Sequence, residues 1–410
     1  MTTEASEENA IDPPTGAEPG VSGGLLLVLL LASTLGMMAG AIVMPVLELI
    51  RNEFGISVTA VGFVATAHCA LIAVTSPLVG RAIDRWGVRI PLGAGLVLYG
   101  AAGGAGLVTS SFPALILTRM LLGVGAAAVF SGTTVALLAA GSGARQDRIM
   151  GWRTAAVTAS GVIWPMLAGL LGGISWHATF AIYLVGIPLG VATLLLMPNE
   201  RKPPSGHTPV FVFDLLRRYP TLLAWNALMA CIGLMMFSLV VFVPQRLAQI
   251  GIHEPVFSSL FMALLSLASS LIGLGYGRIR ARAGFDTVLR TGVACWVGTF
   301  LLLGVSSHPV PIFAAAALFG IGYGLLLPAV TVLIGETPPA SQRGQATSLS
   351  GTAAFVGQFF SSLIFGPLMG ATSITAGYLL AAGIMTAIMI ILLRSRIRDP
   401  RPKPVAVAGR

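Results

Sequence analysis

Charged residues make up only 10% of this 410-residue chain, against 55% hydrophobic, where soluble domains carry about a quarter charged. With a mean hydropathy of +0.89, a soluble fold is excluded. Cysteine is almost missing: Cys69, Cys231 and Cys295 all fall inside apolar runs, without the pairing of a disulfide framework or the spacing of a zinc site. They read as small core residues. Acids avoid the apolar runs, since five of the fifteen crowd the first eighteen residues and none stands in the middle of a run. There is no G-x-x-x-x-G-K-[ST] phosphate loop, and the five scattered histidines suggest neither a catalytic triad nor a metal cluster. The chain is expected not to be an enzyme, to hold no cofactor or metal, and to bind no nucleic acid despite its net charge of +9.

What is present is a succession of apolar runs at about 25–47, 58–79, 90–109, 113–139, 154–173, 178–197, 221–243, 256–276, 288–306, 310–334, 347–369 and 374–393. Each is close to the ~20 residues that a helix needs to cross a ~30 Å hydrocarbon core. Twelve transmembrane helices are predicted, and the 50 glycines suit a bundle held by close backbone approach. Positive charge is retained on the cytoplasmic side of a membrane, and with the N-terminus inside, 21 of the 24 Lys and Arg fall in cytoplasmic segments. Arg51 and Arg246 are assigned to outside loops, and Arg119 lies within a span. The net charge is therefore topological, both termini are expected in the cytoplasm, and the lipid bilayer is the first partner.

The predicted organisation is a disordered acidic cytoplasmic tail at 1–23, a six-helix half at 24–197, a cytoplasmic linker at 198–220, a second six-helix half at 221–393 and a basic cytoplasmic tail at 394–410. The linker holds a Pro-rich stretch followed by the amphipathic F-V-F-D-L-L-R-R. The halves repeat each other at an offset of 197: G-R-A-I-D-R-W-G at 80–87 lies on G-R-I-R-A-R-A-G at 277–284, and Gly123 and Gly125 lie on Gly320 and Gly322. A shared register in two separate places points to duplication of a six-helix unit, the plan of carriers whose halves rock about a midplane site.

The segment G-R-A-I-D-R-W-G-V-R at 80–89 resembles the signature between spans 2 and 3 of the major facilitator superfamily, and the resemblance covers the chain after its N-terminal tail. Gly80 and Gly87 permit a tight turn, Asp84 accepts hydrogen bonds, and Arg85 and Arg89 face the cytoplasm, so the cluster reads as a latch between the halves. Span 4 holds R-M-L-L-G-V-G-A-A-A from Arg119 to Ala128, similar to the arginine-bearing motif of superfamily exporters, with Leu122 where the family often has Gln. Arg119 follows Pro113 by six residues, about 9 Å along a helix, and burying an arginine there costs on the order of 3 kcal/mol or more. It is expected to carry a coupling or substrate charge. Span 5 contains S-G-V-I-W-P-M-L-A-G-L-L-G-G, which resembles the antiporter-associated motif with Trp164-Pro165 in place of Gly-Pro. Gly161, Pro165 and Gly169 read as a packing face and hinge, as Gly123 and Gly125 do in span 4.

Large or polar residues inside the runs supply cavity candidates: Met37, His68, Phe130, Trp164, Asn226, Tyr323 and Gln358. The resemblance implies that spans 1, 4, 7 and 10 line the cavity, which selects Met37, Arg119, Phe130, Asn226 and Tyr323. It implies a multi-pass protein that exports lipophilic small molecules, drugs among them, by proton antiport with alternating access; a monomer is expected, and heavy use of Gly, Ala and Arg with only two lysines, Lys202 and Lys403, points to a bacterial inner membrane. With Arg119 as the fixed intramembrane charge, the cavity is expected to favour neutral, zwitterionic or anionic substrates over permanent cations. Two other readings remain open: proton-coupled import of a small organic anion paired by Arg119 on the same fold, and a membrane sensor that has lost transport.

Overall fold

The computed structural model describes residues 22–141, 143–198, 212–339 and 342–394. The acidic tail, most of the linker and the basic C-terminal tail lie outside them. The described residues are helical: α1 (Gly23–Ala41), α2 (Leu47–Phe54), α3 (Val58–Trp86), α4 (Arg89–Gly104), α5 (Phe112–Ala139), α6 (Gly143–Gly172), α7 (Trp176–Thr179), α8 (Gly186–Leu196), α9 (Val212–Arg218), α10 (Pro220–Gln249), α11 (Pro255–Val305), α12 (Pro309–Glu336), α13 (Arg343–Ala371) and α14 (Ile374–Arg394). Prolines start α10, α11 and α12, where a missing N–H costs nothing. The hydroxyls of Ser22 and Ser57 cap α1 and α3.

Among the described residues, ten helices are long and apolar enough to cross a bilayer. At 51 residues α11 would be about 77 Å long, more than twice the ~30 Å core, and Gly284 divides it with φ 75° and ψ 169°. It therefore supplies two spans. The segment from Gly23 to Phe54 bends by 49° around Met37 and completes twelve, so the fold is an all-α membrane fold of two six-helix halves.

The repeat is visible in the backbone. Gly87 has φ 78° and ψ 171°, almost the values of Gly284, in a region that side-chain-bearing residues rarely adopt. A Cβ added at Gly125 would stand 2.7 Å from the Gly95 carbonyl, and one at Gly322 would stand 2.8 Å from that of Gly292. Both pairs are separated by the same 197 residues.

Three expectations need correction. The segment 80–86 is helical, not a loop, because a helix satisfies its own hydrogen bonds and its end can run past the apolar core while long charged side chains reach water. Arg246 belongs to no loop: it is buried in α10 and donates to the carbonyls of Leu303 at 3.0 Å and Ser306 at 2.7 Å, satisfying the end of α11. Arg153, counted among the cytoplasmic charges, stands inside the apolar span Arg148–Gly172.

Within the first half α5 packs against α1, α3 and α4; in the second, α11 packs against α12 and α14, and α10 against α13. The halves meet where α3 crosses α13 and where α6 crosses the first part of α11. These seams concentrate at one end. Here the end bearing Ser22 and Arg394 is called terminal and the opposite one distal. On the distal side Thr66 and Ser362 share a 3.1 Å hydrogen bond, Gly366 faces Thr59, Gly161 faces Ser266, and Gly169 faces Val256 and Ser259. On the terminal side a Cβ at Gly80, Gly151, Gly273, Gly277 or Gly351 would meet nothing within 4 Å. The bundle is closed distally and open terminally.

Candidate functional site

The open space between the halves ends at a roof built from six spans. Gly36 of α1 lets the Phe130 ring of α5 lie over it, with 2.8 Å from an added Cβ to the ring edge. Phe130 meets Phe355 of α13 edge to face at 5.4 Å between centroids. One helical turn along α1, Gly40 faces Phe237 of α10 and the His68 ring of α3, and those two rings lie 6.2 Å apart. His68 Nε2 stands 3.5 Å from Cys69 Sγ, and that thiol donates across the seam to Gln358 Oε1 at 3.2 Å. Trp164 of α6 donates from Nε1 to Thr34 Oγ1 of α1 at 3.3 Å. Rings and small polar groups thus converge, the lining typical of sites for varied apolar ligands.

The cavity candidates divide. His68, Phe130, Trp164 and Gln358 come together at this roof. Asn226 is buried in α10 and donates to the Leu222 carbonyl of its own helix at 2.7 Å, leaving Oδ1 without a partner. Tyr323 stacks on Phe319 at 6.3 Å within the second half. The side chain of Met37 lies outside the described residues. Sequence reasoning passed over Cys69 as core and did not single out Phe355, three residues before Gln358 and so on its face. It also counted Arg153 as a loop charge, although Arg153 immediately precedes an apolar run.

Arg119 is fully buried inside the first half. Its Nη2 donates to the Gly103 carbonyl at 3.0 Å, while its guanidinium lies 4.8 Å from the centroids of both Phe180 and Tyr183. Nε and Nη1 make no hydrogen bond, and no ion pair to it is formed among the described residues. Tyr183 and its neighbour Tyr99, 5.7 Å apart between ring centroids, grip the bent first span: Tyr183 donates to Ala39 O and Tyr99 to Leu35 O, each at 2.8 Å. Arginine, aromatic pair and bend thus form one cluster.

At the terminal end Asp84 and Arg85 are exposed, and Asp84 has no ion pair among the described residues. Arg89 donates from Nε to the Leu194 carbonyl at 2.8 Å, closing the end of α8. Arg290 closes α14 through Leu392 O in the same manner. At the distal end lies an open groove of about 1190 Å³, lined by Asn52, Glu53, Trp176, His177 and Glu254 among others. Among the described residues no group of three or more His, Cys, Asp or Glu is placed to hold a metal.

Two duplicated halves, sealed at one end around a ring-lined roof and open at the other, define a multi-pass membrane transporter. Residues 29–289 and 249–410 match the family model of the Major Facilitator Superfamily, and the chain belongs to that superfamily. It is 22% identical over 359 residues to Multidrug resistance protein 1 of Bacillus subtilis (strain 168), covering 84% of this chain and 88% of that protein. It is 25% identical over 351 residues to the Chloramphenicol resistance protein of Streptomyces lividans, with the same coverage of 84% and 88%. A mutant of the nucleoside transporter NupG shares the fold with a TM-score of 0.75 at 14% identity, over 90% of this chain and 99% of that one.

Proposed function

We propose that the chain exports lipophilic small molecules from the cytoplasm across a bacterial inner membrane, in exchange for protons, with both termini cytoplasmic. The observation that carries this reading is the roof itself: aromatic rings and small polar groups at the closed end of a space that opens on the side where the arginines gather. The positive-inside count supports taking that side as cytoplasmic. The names of the two relatives, which concern multidrug and chloramphenicol resistance, point the same way. The test is the pH inside sealed vesicles holding purified protein while lipophilic compounds are added under an imposed proton gradient. Compound-triggered proton flux is expected. Its absence with every compound, in folded protein, would move the reading to gradient-independent uptake.

No carboxylate occupies the middle of a span, so the proton needs another carrier. We assign it to His68, the imidazole at the distal seal, whose Nδ1 has no hydrogen-bond partner among the described residues. Facing it are Phe237 of α10 and Cys69 on its own helix, with Gln358 of α13 beyond the thiol, and α5, which bears Arg119, packs against this helix. His68→Gln keeps a polar side chain of similar reach and removes the titration. Proton-driven accumulation should fall on the order of tenfold or more while exchange of labelled for unlabelled compound persists. Equal proton-driven transport by parent and variant would exclude His68.

For Asp84 we retain the latch, now specified as a contact of the terminally closed state. Since Asp84 has no ion pair among the described residues to lose in the open state, Asp84→Asn should slow turnover without lowering the melting temperature. Unchanged turnover would refute the latch. Arg119 we place in coupling, acting through the bend of the first span.

A further inference from the structure

A second arginine has a different relation to the cavity. Arg153 of α6 donates from Nη2 to Thr134 Oγ1 of α5 at 2.9 Å, and that hydroxyl in turn donates to the Phe130 carbonyl at 2.8 Å. Thr134 follows Phe130 by four residues and so shares its helix face, the face that meets Gly36 and Phe355 beneath the roof. The guanidinium is therefore held against the cavity wall, about one turn nearer the open end than the Phe130 ring. It lies about 7.5 Å inside the terminal end of α5, counting five residues from Thr134 to Ala139. It is half-buried, its Nε is buried without a hydrogen bond, and no ion pair to it exists among the described residues.

An arginine serving only membrane topology would extend toward the headgroups. This one is turned sideways onto a neighbouring helix and keeps donors of its fork unused. The group that such a fork fits is a carboxylate or phenolate, bound through two parallel N–H bonds. Beside the aromatic roof, the apolar part of the same molecule has somewhere to lie. We propose that Arg153, fixed by Thr134 and placed beneath Phe130 and Phe355, is an anion subsite that selects ring-bearing lipophilic acids over their neutral and cationic counterparts.

This rests on the reading of the cavity as the substrate site, and its test is binding, which does not depend on transport. Calorimetry on purified full-length protein compares 1-naphthylacetate with the uncharged 1-naphthylacetamide. The parent should bind the acid at least tenfold more tightly than the amide. Arg153→Gln should bring that ratio close to one, Arg153→Lys should restore part of it, and Thr134→Val, which leaves the charge but frees it, should reduce it by a smaller factor. Equal binding of acid and amide by the parent, binding of neither, or an unchanged ratio in Arg153→Gln would overturn the subsite. Should Arg153→Gln fail to fold, Arg153→Lys and Thr134→Val decide, and an unchanged ratio in both overturns it. Acid-selective binding without any transport in vesicles would leave the subsite standing and remove the export reading alone.

Discussion

Arg119→Met should abolish transport while leaving the protein folded, and Arg119→Ala should abolish transport and destabilise it as well. The guanidinium is fully buried, donates to Gly103 O and lies against two aromatic faces. A charge-assisted hydrogen bond and two cation–π contacts contribute on the order of 3 kcal/mol together. Against them stands the cost of holding a cation out of water with no anion beside it among the described residues. The balance for stability is close to even, and an apolar side chain of similar volume should leave the melting temperature within a few degrees of the parent. Alanine would add a cavity and lose on the order of 3 kcal/mol. Such a charge, retained at little net gain to stability, is more readily explained by the transport cycle. The Tyr183 ring that it faces also donates to Ala39 O next to the bend at Met37, so the charge and the bend share one partner. Lysine should not substitute, because an ammonium cannot lie flat against both rings. The pair of measurements is substrate-dependent proton flux and thermal unfolding in detergent. Parent-level flux in Arg119→Met would show that the charge has no part in the cycle.

The twelve spans and the duplication were legible because both rest on local demands. Apolar run length answers to bilayer thickness, and the glycines at 87, 123 and 125 recur at 284, 320 and 322 because the same backbone turn and close approaches recur. Helix ends were not legible. Hydropathy stops at residue 79, whereas the hydrogen bonds of α3 continue to Trp86, with its charges already in reach of water. The depth of Arg119 followed from its distance to Pro113, but nothing near it in sequence announced Phe180 and Tyr183, more than sixty residues on. At the roof, His68 and Gln358 were visible as polar residues in apolar runs. Their link through Cys69 was not, since a lone thiol in such a run is usually packing. Arg153 was hidden by the rule that located the membrane: near the end of a run every arginine counts as topology, and only the direction of its side chain separates an anchor from a cavity group.

Gly169→Leu and Gly80→Leu should both reduce transport to background, yet leave the protein in opposite states. At Gly169 a Cβ would stand 3.1 Å from the Val256 Cα and press on Ser259, so a leucine there cannot coexist with the distal seam between α6 and α11. The halves must part at that end. At Gly80 a Cβ meets nothing within 4 Å, because the terminal end is already open. The added side chain obstructs only the later closure, in which α3 must approach the second half. A native reporter separates the two outcomes. Cys69 is buried at the roof, donating to Gln358, and parting of α3 from α13 exposes it to the distal solvent. With Cys231 and Cys295 replaced by alanine, a membrane-impermeant maleimide applied from the distal side should leave the parent and Gly80→Leu unlabelled and should label Gly169→Leu. Labelling of both variants, or of neither, would mean that the distal seam and the terminal opening are not alternatives of one rocking motion. The same single-thiol protein then reports the effect of substrate. A lipophilic acid that binds in the terminally open state should protect Cys69, and an imposed proton gradient should expose it, because the two ligands of an exchanger draw on opposite states of the same equilibrium.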